Sequence, residues 1–456
     1  MADGRIAVIG AGYVGLTSAA CLAELGHEVV CCDADPQRVA GLLDGRMPIL
    51  EDGLQPLVAS GLASGRLSFV LGNRAAVQDA RYILLCLPTP DGGDGRADLR
   101  IVHEVVAEIG PVLRPGAIVI TKSTVPVGTA RALTDTLGRP DVAVVSNPEF
   151  LREGSAVRNF MHPDRVVVGS ADRDAAQAVA DLYAALNAPV VITSAESSEL
   201  IKYASNAFLA VKLSFVNAVG GLAEAVDADI AEITHGMGFD ARIGGQFLQA
   251  GPGWGGSCFP KDVRALAVIA ADHQVEFPLL GAAIEANDQA QDRIAAKVRA
   301  AAGGSLAGVR VALWGLTFKA GTDDLRDSPA LEVARRLAAE GAVLRGYDPA
   351  VTADLPARGG YPAVQTARDP YAAADGAAVI VVLTEWPEFT RVDLARVAEV
   401  VAGRVLVDGR NLLDPAVVTA AGFTLIRNGR PTTEAGGSDG TGRPVAPALA
   451  GDSVTG

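Results

Sequence analysis

The chain has 456 residues, 49% hydrophobic and 20% charged, with 5% aromatic residues and a formal net charge of −14. At about 150 residues per domain, this length allows about three domains with cores of their own, and the apolar content excludes a disordered chain. The acidity argues against non-specific nucleic-acid binding, yet a helix N-terminus or a few placed basic side chains can still hold an anionic small ligand.

Arg5 to Ile9 reads as a strand that opens onto Gly10-Ala-Gly12-Tyr-Val-Gly15. A helical pattern follows to Leu25 and stops at Gly26, and a second strand, Glu28 to Cys32, ends before Asp33. This strand–turn–helix–strand order gives G-x-G-x-x-G its meaning. Gly10 permits the tight turn, Gly12 lets a pyrophosphate approach the backbone, and Gly15 lets helix and strand pack closely. Asp33, about 18 residues beyond Gly15, is placed to accept from a ribose 2′-OH, which favours NAD over NADP.

Strands are expected at Tyr82 to Leu87, Ala117 to Thr121, Val142 to Ser146 and Val166 to Gly169, with helical stretches between most of them. That alternation predicts a parallel sheet whose carboxyl edge carries the ligand-binding loops. Cys21, Cys31, Cys32 and Cys86 lie in apolar stretches as small core residues. No C-x-x-C pair occurs, so neither a metal site nor a disulfide framework is indicated. The N-terminus has no signal-peptide core, and a reduced, cytoplasmic protein is expected.

Thr193-Ser-Ala-Glu196 fits a capping box for a helix running to about Val226. Its apolar residues cover most of its circumference, so two partners, either domains or subunits, must bury it. Lys212, Asn217 and Glu224 within it argue against a membrane span. Helical sequence continues to about Ala302, broken by the loop Gly251 to Gly256. A second α/β unit has strands at Val309 to Trp314, Leu344 to Tyr347, Ala378 to Leu383 and Val405 to Val407. The expected architecture is α/β: two Rossmann-like, doubly wound domains joined by a long central helix and a helical segment. The boundaries fall at 1–192, 193–302 and 303–428, with 429–456 as a disordered tail.

Cys258 stands in Gly255-Gly-Ser-Cys-Phe-Pro-Lys-Asp262, where Pro260 marks a helix start. Orphan N–H groups there stabilise a thiolate, Lys261 adds positive charge, and the glycines leave room for a substrate. Lys202 and Asn206 share a helix face at i, i+4. Glu149 and Glu153 have the same spacing at a strand end and could divide acid–base and orienting roles. Lys319, Arg326 and Arg410 lie at strand ends of the second α/β unit and suggest a diphosphate site. Together these residues imply oxidation of an alcohol past the aldehyde, for which a cysteine nucleophile is needed and a single oxidation has no use.

The chain resembles the nucleotide-sugar 6-dehydrogenase family from about Arg5 to Arg427. The carrying motifs are Gly10 to Gly15, Ser123-Thr-Val-Pro-Val-Gly-Thr129, Asn147-Pro-Glu-Phe-Leu-Arg-Glu-Gly154, Lys202-x-x-x-Asn206, Gly255 to Asp262, Gly315-Leu-x-Phe-Lys319 and Asp408-x-Arg-Asn411. The resemblance implies Cys258 as nucleophile, Lys202 as acid–base and oxyanion stabiliser, and Asn206 and Asp262 around the sugar C6 oxygens. It implies Glu149 and Thr124 at the catalytic water, with Glu149 as the base for thioester hydrolysis. It places Gly10, Gly12, Tyr13, Val14, Gly15, Asp33, Arg38, Thr89, Thr124, Glu153, Lys261 and Arg326 on NAD. It places Glu149, Phe150, Leu151, Lys202, Asn206, Arg242, Phe247, Leu248, Gly255, Phe318, Lys319 and Arg410 on the nucleotide sugar, with Arg242 reaching into a neighbouring subunit. A homodimer or higher homo-oligomer built on the long helix is thereby implied.

Two internal departures stand out: Trp254 in place of Tyr or Phe, and Ile49-Leu-Glu-Asp-Gly53 in place of Tyr-Glu-Pro-Gly. Of the family's substrates, UDP-glucose fits the Arg152 stretch and the Gly251 loop best. GDP-mannose and the UDP-N-acetylhexosamines are alternatives, as are a single-step NAD-dependent alcohol dehydrogenase and a silent nucleotide-binding regulator.

Overall fold

A computed structural model describes residues 4–435. Within it the chain divides into two units, residues 4–205 with 264–275, and 206–263 with 276–435. These boundaries cut through two helices and so differ from the three-part division expected from composition.

The first unit is built on an eight-stranded sheet. Its strands are β1 (Arg5–Ile9), β2 (Val29–Asp33), β3 (Leu67–Leu71), β4 (Ala80–Leu85), β5 (Ile118–Thr121), β6 (Ala143–Ser146), β7 (Val166–Gly169) and β8 (Val190–Thr193), in the order β3-β2-β1-β4-β5-β6-β7-β8. Because both faces are covered, successive residues enter opposite cores. Ile6, Val8 and Cys31 enter one, and Ala7, Ile9 and Cys32 enter the other. Burial pushes the thiols of Cys21, Cys32 and Cys86 up to about 12, so these cysteines are inert packing groups.

The sheet is not wholly parallel, as its alternating pattern had predicted. β7 meets β6 antiparallel through Ser146 and Gly169. The intervening segment holds only a six-residue helix, Ala156–Met161, so the chain returns without a full parallel crossover. β3 and β8 stand at the two edges. Their partial exposure, with Ser68 and Val190 open to solvent, sets them apart from the fully buried strands that the sequence marks as continuous apolar runs.

The second unit carries a six-stranded parallel sheet, β9 (Arg310–Trp314), β10 (Val343–Tyr347), β11 (Gln365–Thr366), β12 (Val379–Val382), β13 (Val405–Asp408) and β14 (Thr424–Arg427). Its order, β11-β10-β9-β12-β13-β14, repeats the winding of the first six strands. In each sheet the order reverses between the first and fourth strands, which is where a doubly wound sheet binds its ligand.

The central helix spans Ala195–Ala225. Its cap is Ser194, whose Oγ accepts from the Ser197 N–H at 3.1 Å, while Thr193 belongs to β8. The capping box was thus read one residue early. Within one chain the helix is not buried all round: Tyr203, Ala207, Ala210, Val216 and Ala223 are buried, whereas Phe208, Phe215 and Leu222 are 67%, 55% and 61% exposed. The seven-residue spacing of those three aligns them in one stripe.

Chain order also continues past the point where the tail was expected. The Gly429 N–H donates to Glu224 at 2.5 Å, Arg430 pairs with Asp229 at 2.9 Å, and Thr433 bridges Leu425. These polar partners hold a segment whose composition alone reads as loose. The remainder of that expected tail lies outside the described residues.

Candidate active site

In the first unit the glycine fingerprint occupies the turn between β1 and the helix Tyr13–Glu24. A Cβ on Gly10 would stand 2.5 Å from the Cys86 carbonyl oxygen, and one on Gly15 would stand 1.8 Å from the Gly10 carbonyl oxygen. Gly12 faces open space, with nothing within 4 Å. Two glycines are therefore fixed by packing, and the third leaves the approach a pyrophosphate needs at a helix N-terminus. Asp33 closes β2 and accepts from Ala11 N at 2.8 Å, Arg38 Nη1 at 3.2 Å and Asp35 N at 3.0 Å. A carboxylate has about four lone-pair sites, so one remains for a ribose hydroxyl. The residues present fit a bound NAD.

Tyr13 and Val14 open the helix that follows this turn. The Tyr13 hydroxyl donates to Glu51, and Glu51 also accepts from Gly154 N and Ala156 N, both at 2.7 Å. Glu51 thus ties the dinucleotide turn to the loop that carries Glu153. It was missed because its segment was noted only as a departure from the family pattern, although the carboxylate itself is retained. Thr89 donates to the Thr124 carbonyl at 2.9 Å, which joins the loops after β4 and β5.

Lys202 and Glu149 form a buried ion pair, Nζ to Oε1 2.9 Å. Burial by itself would push the Glu149 carboxyl up. The charge and hydrogen bond of Lys202, the Leu151 N–H and the charge of Lys122 outweigh it and hold the group below its ordinary value. Lys202 also lies 5.3 Å from the Phe150 ring centroid, and the Arg165 guanidinium covers that ring at 3.6 Å. Lys202 is therefore sealed within the protein and is not a solvated side chain of the central helix.

In the second unit Cys258 occupies the N-cap of the helix Phe259–Asp272, its carbonyl accepting the Asp262 N–H at 2.9 Å. Its thiol is partly exposed, unlike the four other cysteines. Asp262 is fully buried and accepts from Asn206 Nδ2 at 2.6 Å and Lys261 Nζ at 2.5 Å. The glycines before Cys258 have a different purpose from the one expected. A Cβ on Gly255 would stand 2.0 Å from the Asp327 carbonyl oxygen, and one on Gly256, where φ is +83°, would strike the Phe318 ring. Protein, not substrate, needs that space.

Phe247 adopts φ of 59°, a left-handed conformation costly for a bulky side chain and characteristic of functional loops. Leu248 is buried in a small core with Val216, Ala223 and Ile230, so only its backbone is available to a ligand. Arg410 donates to the Leu383 carbonyl at 2.8 Å and the Phe318 carbonyl at 3.0 Å and pairs with Glu385, joining three loops of this unit. Arg326 pairs with Asp324, Arg242 is exposed and grips Asp240, and Lys319 lies beside the Phe318 ring. Trp254, buried, donates from its indole to Ser214 Oγ at 2.8 Å, a bond that Phe could not make. Asp348 holds the position in this sheet that Asp33 holds in the first. Its Oδ2 accepts from Leu316 N, Thr317 N, Thr317 Oγ1 and Trp386 Nε1 and its Oδ1 from Ala350 N, and at 1% exposure it is closed to a ribose.

The description of known families matches along the whole order of domains. Residues 4–187 match the NAD binding domain, 196–289 the central domain and 312–415 the UDP binding domain of the UDP-glucose/GDP-mannose dehydrogenase family. The chain is 45% identical over 437 residues to a UDP-glucose 6-dehydrogenase of Rhizobium meliloti, covering 94% of this chain and 100% of that one. Among solved structures, a UDP-glucose dehydrogenase of Pyrobaculum islandicum superposes with a TM-score of 0.81 at 38% identity, covering 90% of this chain and 94% of the other. A UDP-D-ManNAc dehydrogenase of Pyrococcus horikoshii gives 0.83 at 27% identity, covering 93% and 99%. With an NAD fingerprint in one sheet, a closed counterpart in the other and an N-capping cysteine, the chain belongs to the UDP-glucose/GDP-mannose dehydrogenase family.

Proposed function

We propose that this protein oxidises the C6 alcohol of UDP-glucose to the carboxylate in two NAD-dependent steps, giving UDP-glucuronate. The observation that carries the reading is Cys258: a partly exposed thiol at a helix N-cap, which one oxidation would not use. UDP-glucose is preferred over an N-acetylhexosamine because identity to a UDP-glucose enzyme reaches 45%, against 27% for the UDP-D-ManNAc enzyme.

NAD, held by the Gly10–Gly15 turn and Asp33, supplies the hydride acceptor for both oxidations. Lys202 takes the C6 hydroxyl proton in the first oxidation and, once protonated, stabilises negative charge on that oxygen. The Cys258 sulfur adds to the aldehyde carbon and forms a thiohemiacetal. Lys202 returns its proton to the oxygen in that addition and takes it again as a second hydride leaves the carbon, which gives the thioester. Glu149, kept ionised by its basic neighbours, removes a proton from water as its oxygen attacks the thioester carbon. The C–S bond then breaks, and the acid and the free thiol are released. Asn206 and Asp262, bonded to each other, hold the oxygen at C6 and the attacking water. Thr124 assists with that water. Phe318, Lys319 and Arg410 receive the nucleotide diphosphate.

The active species is read as a homodimer or higher oligomer, because the stripe of Phe208, Phe215 and Leu222 needs a partner and a second copy offers the same stripe. The central helix has the length and hydropathy of a membrane span, but it buries Lys202, Ser214 and Asn217 in protein hydrogen bonds. The five cysteines form no disulfide among the described residues, which fits a reducing compartment such as the cytoplasm. The test is NADH formation with UDP-glucose, GDP-mannose and the two UDP-N-acetylhexosamines side by side. UDP-glucose should give the highest kcat/KM with two NADH per acid, and a better rival or a single NADH would overturn the reading.

A further inference from the structure

Lys122 follows β5, and nothing in the reaction above uses it. Its side chain is 5% exposed, yet its hydrogen-bond partners are neutral: Asn147 Oδ1 at 3.1 Å and the Tyr183 hydroxyl at 3.3 Å. The rings of Tyr183 and Phe160 lie 5.2 and 6.0 Å from its nitrogen. Burying an ammonium without a carboxylate in contact is costly, and packing alone would be served better by an apolar side chain. Asn147 is held through both side-chain polar atoms and its backbone N–H. Its Oδ1 also accepts from Tyr183 at 2.7 Å, its Nδ2 donates to the Val167 carbonyl at 2.7 Å, and its backbone N–H donates to the Thr121 carbonyl at 3.0 Å. Two residues further on stands Glu149.

We propose that Lys122 is a positioning residue for Glu149: anchored on Asn147, it fixes the strand-end turn that carries the carboxylate and gives that carboxylate a second positive neighbour besides Lys202. The proposal rests on the reading of Glu149 as the hydrolytic base. Groups facing Glu149 are Lys202 from the central helix, the Leu151 N–H from its own loop, Lys122 from the end of β5 and the inert Cys86 thiol from the end of β4. Arg165 covers the ring of Phe150, the next residue. Lys202 exchanges a proton during turnover, so its charge is not constant. Lys122, enclosed by Asn147, Tyr183 and Phe160, takes no part in that exchange and remains the other basic neighbour of Glu149 while Lys202 is neutral.

The experiment compares kcat for acid formation against pH in the full-length protein and in Lys122→Gln, Lys122→Met and Glu149→Gln. Lys122→Gln keeps a donor for Asn147 but removes the charge. It should move the acidic limb up by about half to one pH unit, with KM for both substrates within about twofold. Lys122→Met should move the limb equally and lower kcat a further ~10-fold, because Asn147 loses one of the two donors that hold its Oδ1. If it does not fold, Lys122→Gln carries the test. Glu149→Gln should abolish the limb. A limb that survives Glu149→Gln overturns the base assignment and this proposal with it. A limb that Glu149→Gln abolishes but Lys122→Gln leaves in place overturns the role of Lys122 alone.

Discussion

Asp33 and Asp348 close equivalent strands of two sheets with the same winding, and their burial separates their roles. Asp33 accepts from three groups and its side chain stays 12% exposed for a ribose, whereas Asp348 accepts from five and is an internal brace buried at 1%. Glu51 belongs to the same scale. Glu51→Ala would leave Ala156 N and the Tyr13 hydroxyl without their acceptor and Gly154 N with only the Tyr13 oxygen. It is expected to cost about 3 kcal/mol in thermal or denaturant unfolding and to raise KM for NAD, with a conservative Gln recovering part of both. Cys258→Ser should still oxidise the alcohol but stop at the aldehyde stage, so trapping with a carbonyl reagent should recover aldehyde and no acid. Full acid release by that variant would remove the thioester from the mechanism.

Elements are joined by a few polar contacts whose energetics can be read out. Glu199, on the central helix, accepts from Gly128 N at 2.6 Å and Ala130 N at 2.8 Å and so caps the helix Thr129–Leu137. Burial raises its carboxyl from an ordinary 4.5 to about 7, against the lowering effect of those two N–H groups. Between these values the native state keeps a proton that the unfolded state has lost, so this group makes stability fall as pH rises from about 4.5 to 7. Glu199→Gln should flatten that part of the stability curve, by on the order of 3 kcal/mol across the window. The exposed stripe of the central helix gives a second test at this scale. Phe215→Glu would place a charge in each copy of a self-complementary interface, and light scattering should report monomers. An unchanged oligomer would show that the stripe is not the interface.

For the whole molecule, the sequence made much of the plan legible. The fingerprint, the strands that follow it and the second α/β unit were visible because fully buried parallel strands are continuous apolar runs bounded by turn residues. The cysteine in its Gly-rich, Lys-flanked setting was legible for a similar reason, since helix starts carry local signals. Edge strands β3, β8, β11 and β14 were not, because a short, half-exposed strand resembles a loop when read without its neighbours. Glu51 and Lys122 were equally hidden. Their partners lie 103 residues away at Gly154 and 61 residues away at Tyr183, and no spacing rule reaches so far.

The sequence by itself determined the class of fold, the cofactor fingerprint and the nucleophile, all of which depend on residues close together along the chain. The tertiary structure decided which charges are buried and what each one faces. It sealed Lys202 against Glu149, closed Asp348 to a ribose and gave the space before Cys258 to Asp327 and Phe318. It also left one stripe of the central helix uncovered and held Gly429 to Thr433 against Glu224, Asp229 and Leu425. The reason is physical. Local pattern fixes backbone conformation, but desolvation and hydrogen-bond saturation depend on groups that only folding brings together.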